Sequence, residues 1–239
     1  MSRRVLLAAL LLMMVAAPLM AAPGPGRHQI SFTFGSFNVR GEEARVEGDV
    51  LIANVGFLDF TIKDFDGFVG GAEYLFSPAA WVEVGAGISR YGQTVPSMYA
   101  DLTYADGRDI VQDLKQRVVP ITGTVRFLPL GISAETRDFP LQVYLGGGIA
   151  ALFWQYSEVG DFVDYEPDPP EIFRGQYVQD GTKAGLVLLG GARVRVGSRI
   201  AIGGEVRYQR AAGELGSDFY GDKIDLEGFT YNFTFNVRF

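Results

Sequence analysis

The sequence has 239 residues and a formal net charge of −7 at neutral pH, with 28 acidic and 21 basic side chains. This charge argues against a nucleic-acid partner, because binding to phosphates needs a basic surface. The chain has no cysteine and so no disulfide, and its 18 phenylalanines and 11 tyrosines favour strands.

The first 22 residues have the pattern of a cleavable secretory signal peptide. Arg3 and Arg4 precede an uninterrupted apolar run over residues 5–20, and small residues follow it. The alternative is a membrane anchor helix, but this run is shorter than the about 20 residues that a spanning helix needs. The sequence therefore predicts a signal peptide over 1–22, export, and one folded domain over 23–239.

Alternation with a period of two dominates the remaining sequence and predicts antiparallel strands. In the last of these strands every second residue is apolar and nearly all of them are aromatic, whereas the residues between them are polar or charged. Most of the predicted strands reach the about 9–11 residues that span a membrane, well beyond the average strand of about 5–6. This length favours an all-β, up-and-down transmembrane barrel of eight antiparallel strands over a soluble sandwich. The strands are predicted over 29–38, 67–76, 81–91, 117–127, 141–156, 183–196, 199–210 and 228–239.

The connections between these strands alternate in length, as in outer-membrane barrels. The connections over 77–80 and 197–198 are short and 128–140 is intermediate, whereas the remaining four are long. An apolar stretch in the first long loop, residues 46–62, could form a lid, a short helix or an extra hairpin. A ten-stranded barrel is therefore the alternative to eight strands. The predicted long loops are 39–66, 92–115, 157–182 and 211–227.

The two faces of the predicted strands carry opposite chemistry. The apolar face is expected to contact lipid, which places the ionised side chains in the lumen, where opposite charges can pair across the barrel. An eight-stranded barrel is about wide enough for side chains alone. The charges are therefore expected to be structural, with a polar conduit as the alternative. The predicted lumen-lining charge network is Glu73, Glu83, Arg126, Arg193, Arg195, Glu205 and Arg207.

Motifs for catalysis or cofactor binding are missing from the sequence. The only histidine, His28, precedes the first predicted strand and is expected to be an exposed residue on the periplasmic side. No phosphate loop, zinc spacing or dinucleotide fingerprint is present, and the acidic loop 157–182 does not match a calcium loop. No catalytic residue, cofactor or metal site is therefore predicted.

The whole pattern resembles the small outer-membrane β-barrel families, the OmpA/OmpX/OmpW-like group. An aromatic last residue preceded by alternating apolar residues is similar to the signal that those families present to the barrel-assembly machinery. The resemblance implies a location in the bacterial outer membrane, contact with its lipid and lipopolysaccharide, and a monomer. The residues that carry the resemblance to an assembly signal are Tyr231, Phe233, Phe235, Val237 and Phe239.

Three functions follow as hypotheses. The first is a structural or surface-interaction barrel without catalysis. The second is a narrow channel for small or apolar solutes, and the third is a lipid-modifying enzyme of the outer membrane.

Overall fold

The computed structural model describes residues 27–131, 141–167 and 169–239. Eight of its strands form one closed antiparallel barrel, in which the last barrel strand pairs with the first. The prediction of an eight-stranded antiparallel barrel is confirmed, and the signal peptide predicted over 1–22 lies outside the described residues. The barrel strands are β1 (His28–Val39), β2 (Gly67–Ala79), β3 (Val82–Thr103), β4 (Asp109–Phe127), β5 (Leu141–Asp164), β6 (Glu171–Arg195), β7 (Ile200–Arg210) and β10 (Gly228–Arg238).

Two further strands lie outside the barrel. The short strands β8 (Ala212–Glu214) and β9 (Lys223–Asp225) pair only with each other, so the ten-stranded alternative is not observed. The one α-helix of the described ranges, α1 (Val50–Val55), belongs to the first long connection. No helix in those ranges is long and apolar enough to cross a membrane.

Strands β3 to β6 are much longer than predicted. Most of the regions predicted as loops, 92–115 and 157–182, is strand. β3 continues to Thr103 and β4 begins at Asp109, whereas β5 continues to Asp164 and β6 begins at Glu171. β2 pairs with β3 only as far as Tyr91, and β7 pairs with β6 only as far as Leu186. Beyond these points the four strands form an open sheet, here called the extension, over residues 92–103, 109–116, 156–164 and 171–185.

Lipid-facing and lumen-facing residues alternate along the barrel strands. Phe233 and Val125 point outward and are about half exposed, at 52% and 54%, whereas Glu205 in the lumen is 3% exposed. An apolar outer surface with ionised residues enclosed is stable only where hydrocarbon surrounds the barrel. The orientation predicted from the alternation is therefore the one observed.

The chemistry of the two faces inverts where the strands leave the membrane. On β4 the outward residues change from Val119 and Ile121 to Asp113 and Lys115, whereas the inward residues change from polar to Leu114. Water replaces lipid around the extension, so its outer face can carry charged side chains and its inner face can bury apolar side chains. The charged side chains therefore occupy the membrane-spanning part of the lumen, and apolar side chains fill its outer part.

The first long connection covers this apolar inner face. Residues 46–65, here called the lid, contain α1 and a short 3₁₀ turn over Ile62–Phe65. Val50, Leu51 and Phe65 are fully buried in one cluster with wall residues such as Leu114 and Tyr156, which are also fully buried. Of the three forms considered for this apolar stretch, the structure has a short helix that acts as a lid.

The glycines at the centre of β5 allow close contact with β4. A Cβ atom at Gly148 would lie only 1.9 Å from the backbone oxygen of Gly123. A side chain at this position would therefore push the two strands apart, which explains why the strand contains a run of glycines.

Candidate functional site

Six charged side chains from five strands meet in the membrane-spanning part of the lumen. They form a set here called the charge network. Within the part of the chain that the structure describes, it has three carboxylates and three guanidinium groups, which balance in charge. Arg126 and Arg193 are among the largest fully buried side chains of the protein. The charge network consists of Glu73, Glu83, Arg126, Arg193, Glu205 and Arg207.

Arg126 lies at the centre of the charge network. Its Nη2 atom is 2.5 Å from Glu73 Oε2 and 3.0 Å from Glu205 Oε2, and its Nη1 atom is 3.4 Å from Glu83 Oε1. The guanidinium carbon also lies 5.0 Å from the centre of the Tyr144 ring, a cation–π geometry. One guanidinium thus contacts all three carboxylates of the network.

The other two arginines complete the pairing of these carboxylates. Arg193 binds Glu83 through both Nη atoms, at 2.7 and 3.2 Å. Arg207 Nη2 lies 3.0 Å from Glu73 Oε2 and 2.8 Å from Glu205 Oε1. Each carboxylate therefore contacts two arginines, which is the condition under which buried charges are tolerated in a low dielectric.

Neutral groups satisfy further atoms of the charge network. Thr124 Oγ1 donates a hydrogen bond of 2.7 Å to Glu73, and the Tyr144 hydroxyl donates one of 3.2 Å to Glu205. Gln142 Oε1 accepts a hydrogen bond from Nε of Arg193. These contacts hold the charged groups in one arrangement.

The structure brings together six of the seven residues predicted for the network. Arg195 lies apart, because it is two residues nearer the periplasmic end of β6 than Arg193. There it lines a small cavity beside Arg199 and Arg238, at the mouth of the barrel. The alternation specifies the face on which Arg195 lies but not its depth in the lumen.

Little free space remains in the lumen above the charge network. The cavity between Arg207 and the apolar layer formed by Phe37, Tyr91 and Val118 measures about 20 Å³. This volume is enough for one or two water molecules. Above it the barrel is filled by the cluster that the lid completes.

A buried polar contact fixes the lid to the barrel wall. Asn54 on α1 is fully buried, and its Nδ2 atom donates hydrogen bonds of 2.7 Å to Glu158 Oε1 and 3.2 Å to the hydroxyl of Tyr156. The Tyr156 hydroxyl donates a further hydrogen bond of 2.9 Å to Glu158. Burial raises the pKa of Glu158, although the hydrogen bonds that it accepts from Asn54 and Tyr156 oppose the shift.

Backbone contacts fix the lid at two other places. The Asp59 N–H donates to the Met98 oxygen at 2.8 Å, and the Ala100 N–H donates to the Phe57 oxygen at 3.0 Å, so the lid pairs with the free edge of β3. On the other side, the N–H of Asp225 in β9 donates to Asp49 at 2.9 Å. The lid is thus attached to β3, β5 and β9.

The lone histidine lies in an aromatic cluster at the periplasmic end. His28 is half-buried rather than exposed as predicted, because it belongs to β1 and its ring stacks on Phe76 and Phe239. Its Nδ1 atom forms a hydrogen bond with the hydroxyl of Tyr74. Among the described residues, no group of three or more histidine, cysteine or acidic side chains has the geometry to hold a metal ion.

The side chains predicted as an assembly signal share one face of β10. Tyr231 and Phe233 are 53% and 52% exposed and point toward lipid. Phe235 and Val237 follow on the same face and are half-buried, and Phe239 lies just after the strand. β10 joins β1 along its whole length, from Gly228 opposite Val39 to Arg238 opposite Gln29.

A closed antiparallel barrel with a lipid-facing apolar belt and an ion-paired lumen is the architecture of a bacterial outer-membrane protein. The family model described as the outer membrane protein beta-barrel domain matches residues 7–239. The chain therefore belongs to this family, and it lies in the bacterial outer membrane.

Several solved structures are similar to this chain at low sequence identity. They include Ail, the attachment invasion locus protein of Yersinia pestis, in complex with the heparin analogue sucrose octasulfate, at 11% identity over 90% of this chain and 100% of that one, with a TM-score of 0.45. Neisserial surface protein A is 10% identical over 91% of this chain and 100% of that one, with a TM-score of 0.47. The outer membrane protein OprG from Pseudomonas aeruginosa is 14% identical over 90% of this chain and 97% of that one, with a TM-score of 0.47. No curated protein sequence matches the chain.

Proposed function

We propose that this protein is a non-catalytic outer-membrane barrel with a closed lumen, whose function is carried by the surface it presents outside the cell. The observation that carries the proposal is the filling of the lumen. The charge network occupies its membrane-spanning part, and the lid occupies its outer part. A passage for solutes would require both to move.

The charge network supports a structural role. Its three acidic and three basic groups are paired with one another, and their interaction holds β2, β3, β4, β6 and β7 together across the lumen. A conduit for ions would instead need charged groups that face free water. The free space of about 20 Å³ above Arg207 does not offer such a path.

The extension supports a role at the surface. It continues four strands beyond the membrane, with charged side chains on its outer face and two edges that lack barrel partners. On its inner side the lid is already packed against it, so the outer face is the part available to another molecule.

Single-channel recording tests the closed lumen. The protein is refolded, shown to be folded by its heat-modifiable migration on a gel, and inserted into a planar bilayer. We expect no steady conductance, and a steady open current from the folded protein would refute the proposal. A variant that carries Glu73→Ala and Arg126→Ala and has the lid, residues 46–65, replaced by a short glycine–serine linker lacks both obstructions. Checked on the same gel, it should give currents and thereby shows that the assay detects an opened lumen.

A channel for apolar solutes is the second candidate, because the inner wall beneath the lid is apolar. Such a solute carries no current, so we would measure how fast an apolar fluorophore enters vesicles with and without the protein. Equal rates of entry support the closed barrel. The channel would be supported if the protein makes entry faster and if cross-linking Asn54 to β5 removes this increase.

The absence of catalysis has its own test. We expect the mass spectrum of lipid A to be identical in cells with and without expression of the protein.

We also propose that the outward face of β10 presents the assembly signal to the barrel-assembly machinery. Phe239→Ala removes the last aromatic ring while leaving the β1–β10 pairing in place. We expect less folded protein in the outer membrane and more unfolded protein in the periplasm. The matched change Phe229→Ala, at the other end of the same face, should have a smaller effect.

A further inference from the structure

The outer face of the extension contains a groove that no lipid covers. It measures about 470 Å³, which lies within the range of ligand-binding sites. Its floor is apolar, and Val111 and Met98 there are 52% and 37% exposed. Both residues lie beyond the outward-facing Arg117 and Arg90 on their strands, in the part of the surface that faces water. The floor of this extension groove consists of Pro96, Met98, Val111 and Val159.

Three carboxylates surround the floor of the extension groove. Asp109 and Asp113 flank Val111 on β4, with the same outward orientation, and Asp59 comes from the lid where it pairs with Met98. None of the three has an ion pair within 4 Å among the residues that the structure describes. Among the described residues that line the groove, Arg174 is the one cation, and it lies 3.7 Å from Asp161. The groove therefore combines an apolar floor with three carboxylates, which outnumber the one arginine of its lining.

The spacing of these groups indicates the shape of an occupant. Outward side chains on β4 recur every second residue, at about 6.6–6.8 Å, and the side chains of an extended peptide that share one face recur at the same interval. Asp109, Val111 and Asp113 thus present charge, apolar surface and charge at the repeat of an extended chain. Met98 lies opposite Val111 and widens the apolar position, and Val159 lies opposite Asp113.

From this geometry we propose that the extension groove binds a basic, extended segment of another protein, in which two arginine or lysine residues flank an apolar residue at alternate positions. The inference rests on the proposed surface function and names its site and the chemistry of its partner. The basic side chains would pair with Asp109 and Asp113, while the apolar one covers Val111 and Met98. Burial of that side chain removes apolar surface from water, and the charges set orientation and register.

Fluorescence anisotropy with a labelled peptide tests the inference. The full protein is placed in nanodiscs of phosphatidylcholine, which carries no net charge, and titrated against the peptide Arg-Ser-Leu-Ser-Arg. We expect saturable binding that weakens about five- to tenfold in the D109N/D113N variant. This variant loses two exposed ion pairs, each of which contributes about 0.2–1 kcal/mol. Val111→Ser should weaken binding by a similar factor through the floor.

Two controls separate the groove from general acidity. The D180N/D218N variant removes the same charge from exposed positions outside the groove, and it should bind the peptide as the wild-type protein does. A peptide with serine in place of leucine should bind more weakly than the original. The inference is overturned if the wild-type protein shows no saturable binding up to about 1 mM peptide, if the control variant loses as much affinity as D109N/D113N, or if the serine peptide binds equally well.

The outcomes also distinguish this inference from the proposed function. A barrel without conductance that ignores the peptide overturns only the assignment of the groove. A conducting barrel that binds the peptide overturns only the closed lumen.

Discussion

Removing Arg126 is the sharpest test of the charge network. Arg126 is 2% exposed and contacts Glu73, Glu83 and Glu205 at 2.5 to 3.4 Å. In Arg126→Met an apolar side chain of similar length replaces it, so the change in packing is small. The network then holds three carboxylates and two guanidinium groups, which leaves one negative charge uncompensated. Breaking a buried ion pair in this way costs about 3–5 kcal/mol, and we expect that loss in the free energy of unfolding.

Urea titration of the protein in lipid vesicles measures this loss. Tryptophan fluorescence follows unfolding, and the heat-modifiability gel reports the folded fraction at each urea concentration. Adding Glu205→Gln to Arg126→Met restores the balance of charge, so the double variant should be more stable than the single one. Arg199→Met, at an exposed position between β6 and β7, should stay within about 0.5 kcal/mol of the wild type. A loss below about 1 kcal/mol for Arg126→Met would refute the reasoning, because it would mean that water already solvates these carboxylates.

Three further changes probe the lid, the close strand contact and the lipid-facing surface. Because burial raises the pKa of Glu158, the lid is most stable below the ordinary carboxyl pKa of about 4.3 and loses stability as the pH rises through the raised value. Glu158→Gln should weaken that dependence in hydrogen exchange of the α1 amides, and an unchanged pH profile would contradict the assignment. Part of the dependence should remain, because burial also raises the pKa of Asp225, which accepts a hydrogen bond from the N–H of Val46 in the lid. Gly148→Val should lower stability by about 1–3 kcal/mol or prevent folding, as measured by urea titration, since its Cβ would meet the Gly123 oxygen at 1.9 Å. Phe233→Arg, in the middle of β10, should cost about 2–4 kcal/mol in vesicles, whereas an equal stability would mean that this face does not contact hydrocarbon.

The membrane-spanning strands could be predicted from the sequence because one face meets the same solvent along their whole length. β10 is the clearest example, with apolar residues at every second position from Phe229 to Phe239. β3 could not be predicted in full, because its apolar residues change face between Ile88, which points to lipid, and Tyr91, which points into the barrel. The continuous lipid-facing apolar stretch ends at that change, and the predicted strand ends with it. The same change on β4 explains why its part of the extension was predicted as a loop, although buried and exposed residues continue to alternate there.

The charge network could be predicted by composition but not by its pairs. The alternation places Glu73, Arg126 and Glu205 on the lumen side, which is why six of the seven predicted residues meet. Arg126 and Glu205 are 79 positions apart in the sequence, and they approach across the lumen rather than along a ladder. Such contacts depend on the twist and closure of the barrel, which the sequence pattern does not give. The lid is a similar case. The sequence identifies its apolar residues, but it does not indicate that they pack inside the barrel.

The change of face on β3 and β4 also fixes how deeply the barrel is immersed. Sinking by two residues along the tilted strands, a displacement of about 5 Å, would draw Lys115 and Asp113 toward the acyl chains. Charged side chains there cost several kcal/mol each, so the protein has one preferred height. Whatever docks on the extension is therefore held at a constant distance from the cell surface.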